Sequence, residues 1–351
     1  MAKIGAVPTT SQGVGIRAIG RYLPEKVVSN ADLEEILLTR DDWIRANIGV
    51  ETRHMAAEGE WTSDLGTAAL LDACERAGIS PAELDLVICG TYTPDNMTPP
   101  TAMLVIRKSG ALGATGFDVN SGACPGGVFA LDIGAKYVAT GQYRRVAVVM
   151  ADVSTRTMDW KDPAPAVIFG DGAACYLLEA CTPGRGIGRT LLRSDPSGYE
   201  SVWVRREKRT RRDGSALSSG FGDNFGALDG KAVHAFAVGE VPSFIRELLD
   251  VADQATADVD LFALHQANLY IIQGILRELG VPLERTVTNI QKYGNTSGAS
   301  VPLVLREAED LGRLLPGDQV LLAAFGSGFS MGAALVRWCG PEDFEPAPVA
   351  S

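Results

Sequence analysis

Residues 82–90 read AELDLVICG, and 175 positions later residues 257–265 read ADVDLFALH. Both are short apolar runs led in by an acidic residue, the form of a buried strand bounded by turns. A second pair keeps the same separation: NSGAC at 120–124 matches NTSGA at 295–299, with Asn120 over Asn295. A third pair, RRVAVVMAD at 144–152 and DQVLLAAFG at 318–326, lies at nearly the same offset. Three matched segments in one order predict two copies of a single α/β unit of roughly 170 to 180 residues. The divide falls near Pro183-Gly184, giving halves 1–183 and 184–351.

Working outward, buried strands are expected at 84–90, 115–120, 144–152 and 172–180. Helices are expected at 63–77, 101–111, 125–140, 238–253, 268–279 and 301–312. Such alternation argues for an α/β architecture with helix-covered sheets. The segment QVLLAAFGSGFSMGAALV, 319–336, carries no charge, yet its Gly-Ser-Gly-Phe-Ser interior suits two strands and a turn better than a membrane helix.

Composition narrows the function. The 351 residues are 46% hydrophobic and 21% charged, ordinary for a globular protein with a sizeable core. A net charge of −11 gives no electrostatic support for nucleic-acid binding. The basic run RREKRTRRDG at 205–214 is the local exception and reads as a solvated loop or a contact for phosphates or acidic partners. Six cysteines, none in a C-x-x-C pair, and only three histidines argue against a zinc site. The N-terminus lacks the basic-then-apolar pattern of a signal peptide, so reduced thiols and a cytoplasmic location are expected.

Three polar residues stand out once the repeat is recognised. Cys124, in FDVNSGACPGGVFAL at 117–131, follows a strand and precedes Pro125, which suits a helix first turn. There the helix macrodipole favours thiolate, and Gly122, Ala123, Gly126 and Gly127 leave room for a substrate. His265 ends a strand of the second half, and Asn295 ends the next. Each alone reads as readily as filler, a structural histidine or a turn residue. Strand ends of a duplicated sheet can converge on one crevice, where α/β folds bind ligands.

These residues also carry a family pattern. NSGACPGG, LHQAN, YGNTSGAS and AFGSGFSMG, with WI-x-x-x-x-GV-x-x-R at 43–53 and FGDGAAC at 169–175, resemble the β-ketoacyl-ACP synthase III group of thiolase-fold condensing enzymes. The resemblance runs from about residue 13 to 338 and implies two pseudo-symmetric repeats in a layered αβαβα sandwich. It also implies that Cys124 attacks an acyl thioester and carries the acyl group covalently. A malonyl-type thioester then loses CO2, and His265 and Asn295 donate hydrogen bonds to its oxygen as charge develops. The backbone N–H groups of Cys124 and Ser327 would form a second oxyanion hole, although the family usually has glycine at the latter position. By the same resemblance Trp43, Arg156, Asn268 and Thr98 would contact coenzyme A or the acyl chain, and Tyr270 and Arg277 would face a carrier protein. No cofactor and no metal is implied beyond acyl-coenzyme A or acyl-carrier thioesters as substrates, and a homodimer is expected.

Departures concern the donor. Asn47 stands where the family has an arginine that stacks on adenine, and Tyr270 where it has a docking arginine. Thr98, near the family's bulky pocket residue, would leave space for a larger or branched acyl group. Degradative thiolases use a second cysteine in the C-terminal glycine-rich motif, and AFGSGFSMG has none. A close alternative keeps acyl-Cys124 but passes the acyl group to an alcohol or amine. A Cys-His-Asn set also occurs in papain-like proteases, but C-G-S-C-W is absent and the repeat has no place there. A catalytically dead scaffold fits poorly with three retained polar residues.

Overall fold

The computed structural model describes residues 13–120, 123–204 and 226–344. Gly122 and the basic run 205–214 lie outside the described residues. Nine strands join in one mixed sheet: β1 (Gly13–Tyr22), β2 (Leu86–Gly90), β3 (Thr115–Val119), β4 (Val146–Asp152), β5 (Gly172–Cys181), β6 (Gly186–Ser194), β7 (Leu261–Leu264), β8 (Gln319–Gly326) and β9 (Ser330–Arg337). Their order is β7-β8-β9-β6-β1-β5-β4-β2-β3.

The duplication is written in that order. From its outer edge the first half runs third, second, fourth, fifth, first, with β5 antiparallel to both neighbours. The second half follows the same rule through β7, β8, β9 and β6. Its third place is reduced to one residue, Thr286, bridged in parallel to Phe262 as β3 is to β2. Register agrees as well: Leu86 lies opposite Val146, and Leu261, 175 residues after Leu86, lies opposite Val320. The halves join where β1 runs parallel to β6, Val14 beside Gly186.

Seven helices matter here: α1 (Asp41–Asn47), α2 (Thr62–Ala77), α3 (Thr101–Ser109), α4 (Gly126–Ala139), α5 (Gly230–Val251), α6 (Leu269–Leu279) and α7 (Ser300–Asp310). Side chains alternate across each strand, so one face of the sheet cannot share a core with the other. Leu86, Ile88, Val148 and Tyr176 point inward, as do Leu261, Ala263, Val320 and Leu322, and both sets close on α4 and α7. Val87, Cys89, Val149 and Cys175 point outward beneath α2 and α3. Phe262, Leu264, Leu321 and Ala323 do the same beneath α5 and α6. Five layers result, αβαβα, with α4 and α7 in the middle. The expected fold class is borne out.

The uncharged stretch 319–336 forms β8, a turn and the start of β9, which pair antiparallel. No helix among the described residues is long and apolar enough to cross a membrane. One boundary differs clearly. The helix expected from 238 begins at Gly230, where the Asp229 carboxylate caps it by accepting the Lys231 and Ala232 N–H groups. Pro242, which suits a first turn, sits inside this helix instead.

Candidate active site

The central layer brings two helix N-termini to one place. Pro125 caps α4 one position earlier than the first helical residue, so Cys124 sits just before the helix. The turn 295–299 leads into α7 at the equivalent point of the second half. The two turns nearly touch: a Cβ on Gly127 would meet the Gly298 carbonyl oxygen at 2.6 Å, and one on Gly298 would meet the Ala123 oxygen at 3.2 Å. Glycine is required at 127 by this approach to backbone rather than by backbone angle, while at 298 the atom nearest such a Cβ is the Met150 methyl.

Asn295 is buried at 4% exposure and held from both sides. Its N–H donates to the Ile168 carbonyl at 2.9 Å, and its carbonyl accepts the Gly170 N–H at 3.1 Å. Its Oδ1 accepts the Ser297 N–H at 2.8 Å. That fixes the amide orientation and leaves Nδ2 as the donor atom, in a residue near enough to Cys124 to lower the pKa of its thiol.

His265 continues β7, its N–H bonded to the Ala323 carbonyl at 2.8 Å. Its ring is 1% exposed and meets the Phe325 ring edge-on. Burial lowers its pKa to about 3, so the imidazole is neutral at physiological pH. Nδ1 lies 2.5 Å from Ser300 Oγ, and the same oxygen accepts the Gln266 N–H at 3.4 Å. In the tautomer in which Ser300 donates to Nδ1, the remaining hydrogen sits on Nε2 as a donor. Sequence reasoning missed Ser300. Its signal was its place as the last residue of YGNTSGAS, five positions beyond the asparagine.

Cys124 is partly exposed and lines a cavity of about 970 Å³ together with Ser327 from the β8–β9 turn. The thiol departs from expectation. Burial, then the nearby Asp152 carboxylate, push it up to about 12, against hydrogen bonds from Ser297 and Asn295 that lower it. A helix terminus supplies roughly 0.3–1 kcal/mol, under one pKa unit. Desolvation is the larger effect here, so Cys124 rests as a thiol rather than a thiolate.

The outer residues divide. Thr98 and Arg156 line the cavity, and Trp61 joins them. The Arg156 guanidinium lies 4.7 Å from the centre of the Trp61 ring, a pairing the sequence did not suggest. Trp43 stands 47% exposed on α1 and is not among the lining residues. The Asn268 Oδ1 caps α6 by accepting the Tyr270 and Ile271 N–H groups, and its Nδ2 donates to the Asn47 carbonyl. The Tyr270 hydroxyl donates to the Arg45 carbonyl at 2.9 Å and ties α6 to α1, and the side chain stays 39% exposed. Arg277, seven residues on and so on the same helix face, is exposed.

Comparison with known proteins settles the family. Residues 117–196 match the model for 3-oxoacyl-[acyl-carrier-protein (ACP)] synthase III, and residues 249–338 match that for its C-terminal part. The beta-ketoacyl-[acyl-carrier-protein] synthase III of Xylella fastidiosa is 42% identical over 327 residues, 92% of this chain and 98% of the relative. The chain belongs to the β-ketoacyl-ACP synthase III family. The Xanthomonas campestris synthase III is 42% identical over 328 residues, with the same coverage. Among solved structures, the synthase III of Thermus thermophilus superposes with a TM-score of 0.86 at 38% identity, covering 93% of this chain and 99% of that one. The priming β-ketosynthase of the R1128 polyketide pathway gives 0.86 at 32%, covering 96% and 100%. The protein is a condensing enzyme of the synthase III type.

Proposed function

We propose that this chain takes an acyl group from a coenzyme A or carrier-protein thioester onto Cys124 and transfers it to the carbanion left when a malonyl-type thioester loses CO2. The observation that carries this reading is the meeting of the two helix-leading turns at Cys124, the 295–299 turn packing against Ala123–Gly127 and a neutral His265 held through Ser300 at the start of α7. Cys124 is then the nucleophile, His265 and Asn295 the oxyanion donors, and the Cys124 and Ser327 N–H groups the donors to the acyl carbonyl. The cavity lies near the upper end of the roughly 300–1,000 Å³ typical of ligand sites. With Thr98 in its wall, it supports a primer larger than acetyl. Arg156 over Trp61 offers a cationic, aromatic rim for a nucleotide donor, and the face of α6 bearing Arg277 a docking surface for an acidic carrier. We also propose residues 1–183 and 184–351 as the two structural units, and a homodimer by analogy with the fold.

The test incubates the protein with a panel of acyl-coenzyme A and acyl-carrier thioesters and measures intact mass with and without Cys124→Ala. An acyl adduct confined to the protein with Cys124, followed by CO2 release on adding malonyl-carrier thioester, is expected. An adduct that persists in Cys124→Ala, or acylation with no CO2 release, refutes the reading.

A further inference from the structure

The motif at 43–53 ends on Arg53, and nothing in the proposed chemistry uses that residue. Its side chain is 0% exposed, the largest wholly buried one among the described residues. Burial lowers its pKa to about 10, so the guanidinium is a cation at neutral pH. Yet its hydrogen bonds go to two neutral oxygens, and its Nε has no partner among the described residues. The Asp41 carboxylate reaches it only through Asn30. A buried cation held without a bonded carboxylate is costly, and an apolar side chain could fill the same space at lower cost. Stability alone does not account for it.

Its partners lead to the site. Nη2 donates to the Val167 carbonyl at 2.8 Å, and Nη1 to Asn30 Oδ1 at 2.8 Å. Val167 opens the strip that holds Asn295: the Ile168 carbonyl accepts the Asn295 N–H, the Gly170 N–H donates to the Asn295 carbonyl, and Phe169 runs parallel beside it. Arg53 also lies against both sides of that pairing. A Cβ on Gly170 would meet the Arg53 Cβ at 3.1 Å, and one on Gly294 would meet it at 3.4 Å. Its neighbours complete the grip. The Thr52 hydroxyl donates to the Lys292 carbonyl at 2.8 Å, and the His54 carbonyl accepts the Asp171 N–H at 2.9 Å. On the far side Asn30 is itself fixed, its Nδ2 donating to Asp41 Oδ1 and to the Val50 carbonyl, both at 2.8 Å. Val167 and Asn30 are thus held by one planar fork, whose two nitrogens cannot move independently.

We propose that Arg53 is a positioning residue for Asn295. By tying Val167 to Asn30 it sets where the 168–170 strip lies, and the strip sets where the Asn295 carboxamide stands when charge develops on the malonyl thioester oxygen. Arg53 does not line the cavity, so it acts through this backbone and not on the substrate. An oxyanion donor moved by a fraction of an ångström loses most in the transition state, where its hydrogen bond is strongest. The proposal rests on the reading of Asn295 as an oxyanion donor given above.

The experiment is a double-mutant cycle on the full chain: wild type, Arg53→Met, Asn295→Ala and the double variant, with Arg53→Lys, which keeps the charge but not the fork. CO2 release is followed over a range of malonyl thioester concentrations. Acyl-Cys124 formation from a short-chain acyl-coenzyme A is read by intact mass on the same preparations. Arg53→Met should lower kcat and kcat/KM for decarboxylation together, by about 10- to 10²-fold, while acylation stays within a few-fold of wild type. Arg53→Lys should fall between the two. In the Asn295→Ala background the Arg53 substitution should cost little more, because the group it positions is gone. A residue that only supports the fold would cost the same in both backgrounds and slow acylation as well. Either result overturns the proposal, as does wild-type CO2 release in Arg53→Met. Should Arg53→Met fail to fold, Arg53→Lys carries the same cycle. If Asn295→Ala alone leaves CO2 release unchanged, the oxyanion reading of Asn295 fails, and the positioning role with it.

Discussion

Replacing Ser300 with alanine should separate the two half-reactions. The Ser300 hydroxyl is the hydrogen-bond partner of His265 Nδ1, and both residues are at most 1% exposed. Truncation leaves a buried ring nitrogen without its donor, a cost of about 1–3 kcal/mol. The imidazole can relieve that cost by moving its hydrogen to Nδ1, which turns Nε2 from donor to acceptor. One of two donors to the developing enolate oxygen is then lost, and such losses amount to roughly 10²–10³ in rate, about 2.7–4 kcal/mol. Partial inversion gives less, so a decrease of about 10- to 10³-fold in CO2 release from malonyl thioester is expected. Acylation of Cys124 does not use Nε2 and should be preserved. The assay pairs CO2 release with intact-mass acylation on the same preparation. Unchanged CO2 release, or an equal fall in acylation, would refute the tautomer reasoning.

Other consequences are more direct. His265 is lowered to about 3 in the fold from 6.5, so it contributes stability that is present above pH 6.5 and lost as pH falls toward 3. Between pH 7.5 and 5.5 the wild type should lose about 1.4 kcal/mol more than His265→Gln in urea unfolding, since the buried carboxylates contribute equally to both. Gly127→Ala would drive a methyl group to 2.6 Å from the Gly298 oxygen, so activity should fall and stability drop by about 1–3 kcal/mol. Gly239→Ala, on an exposed stretch of α5 with nothing near its Cβ, should instead stabilise by about 1 kcal/mol without touching turnover. Arg145, 4% exposed, holds Glu179 at 2.6 Å, and Arg145→Ala should cost about 1.5–3 kcal/mol in a denaturant melt, because the buried carboxylate keeps only Arg17 at 3.3 Å.

Much of this molecule was legible because strand alternation and repeat spacing are written one residue at a time. The α/β duplication followed from paired segments 175 residues apart, whereas the five-layer sandwich and the roles of Cys124, His265 and Asn295 followed from the family resemblance carried by their motifs. What escaped depended on contacts between distant turns. Ser300 looks like an ordinary small polar residue, and only the fold, which sets it against the end of β7, gives it His265 and Gln266 as partners. Asp152 reads as the end of a strand, and nothing in its neighbours tells that the Thr91 and Thr93 hydroxyls and the Tyr92 and Thr93 N–H groups converge on one oxygen. The resting charge of Cys124 was misjudged for the same reason: the helix terminus is local, whereas desolvation comes from the whole interior. The sequence also hid the hydrogen bonds that Asn268 and Tyr270 make to α1, a neighbour more than 200 residues away in the chain.

The backbone mounting of Asn295 has an evolutionary corollary. Ile168 and Gly170, from the amino-terminal copy, grip an amide that belongs to the carboxy-terminal copy. Neither duplicate can be exchanged for a homologous one, or expressed by itself, without loosening the carboxamide at its anchor. Gene shuffling between relatives should therefore preserve turnover only when crossover points keep the 168–170 strip and the 294–300 hairpin from the same parent.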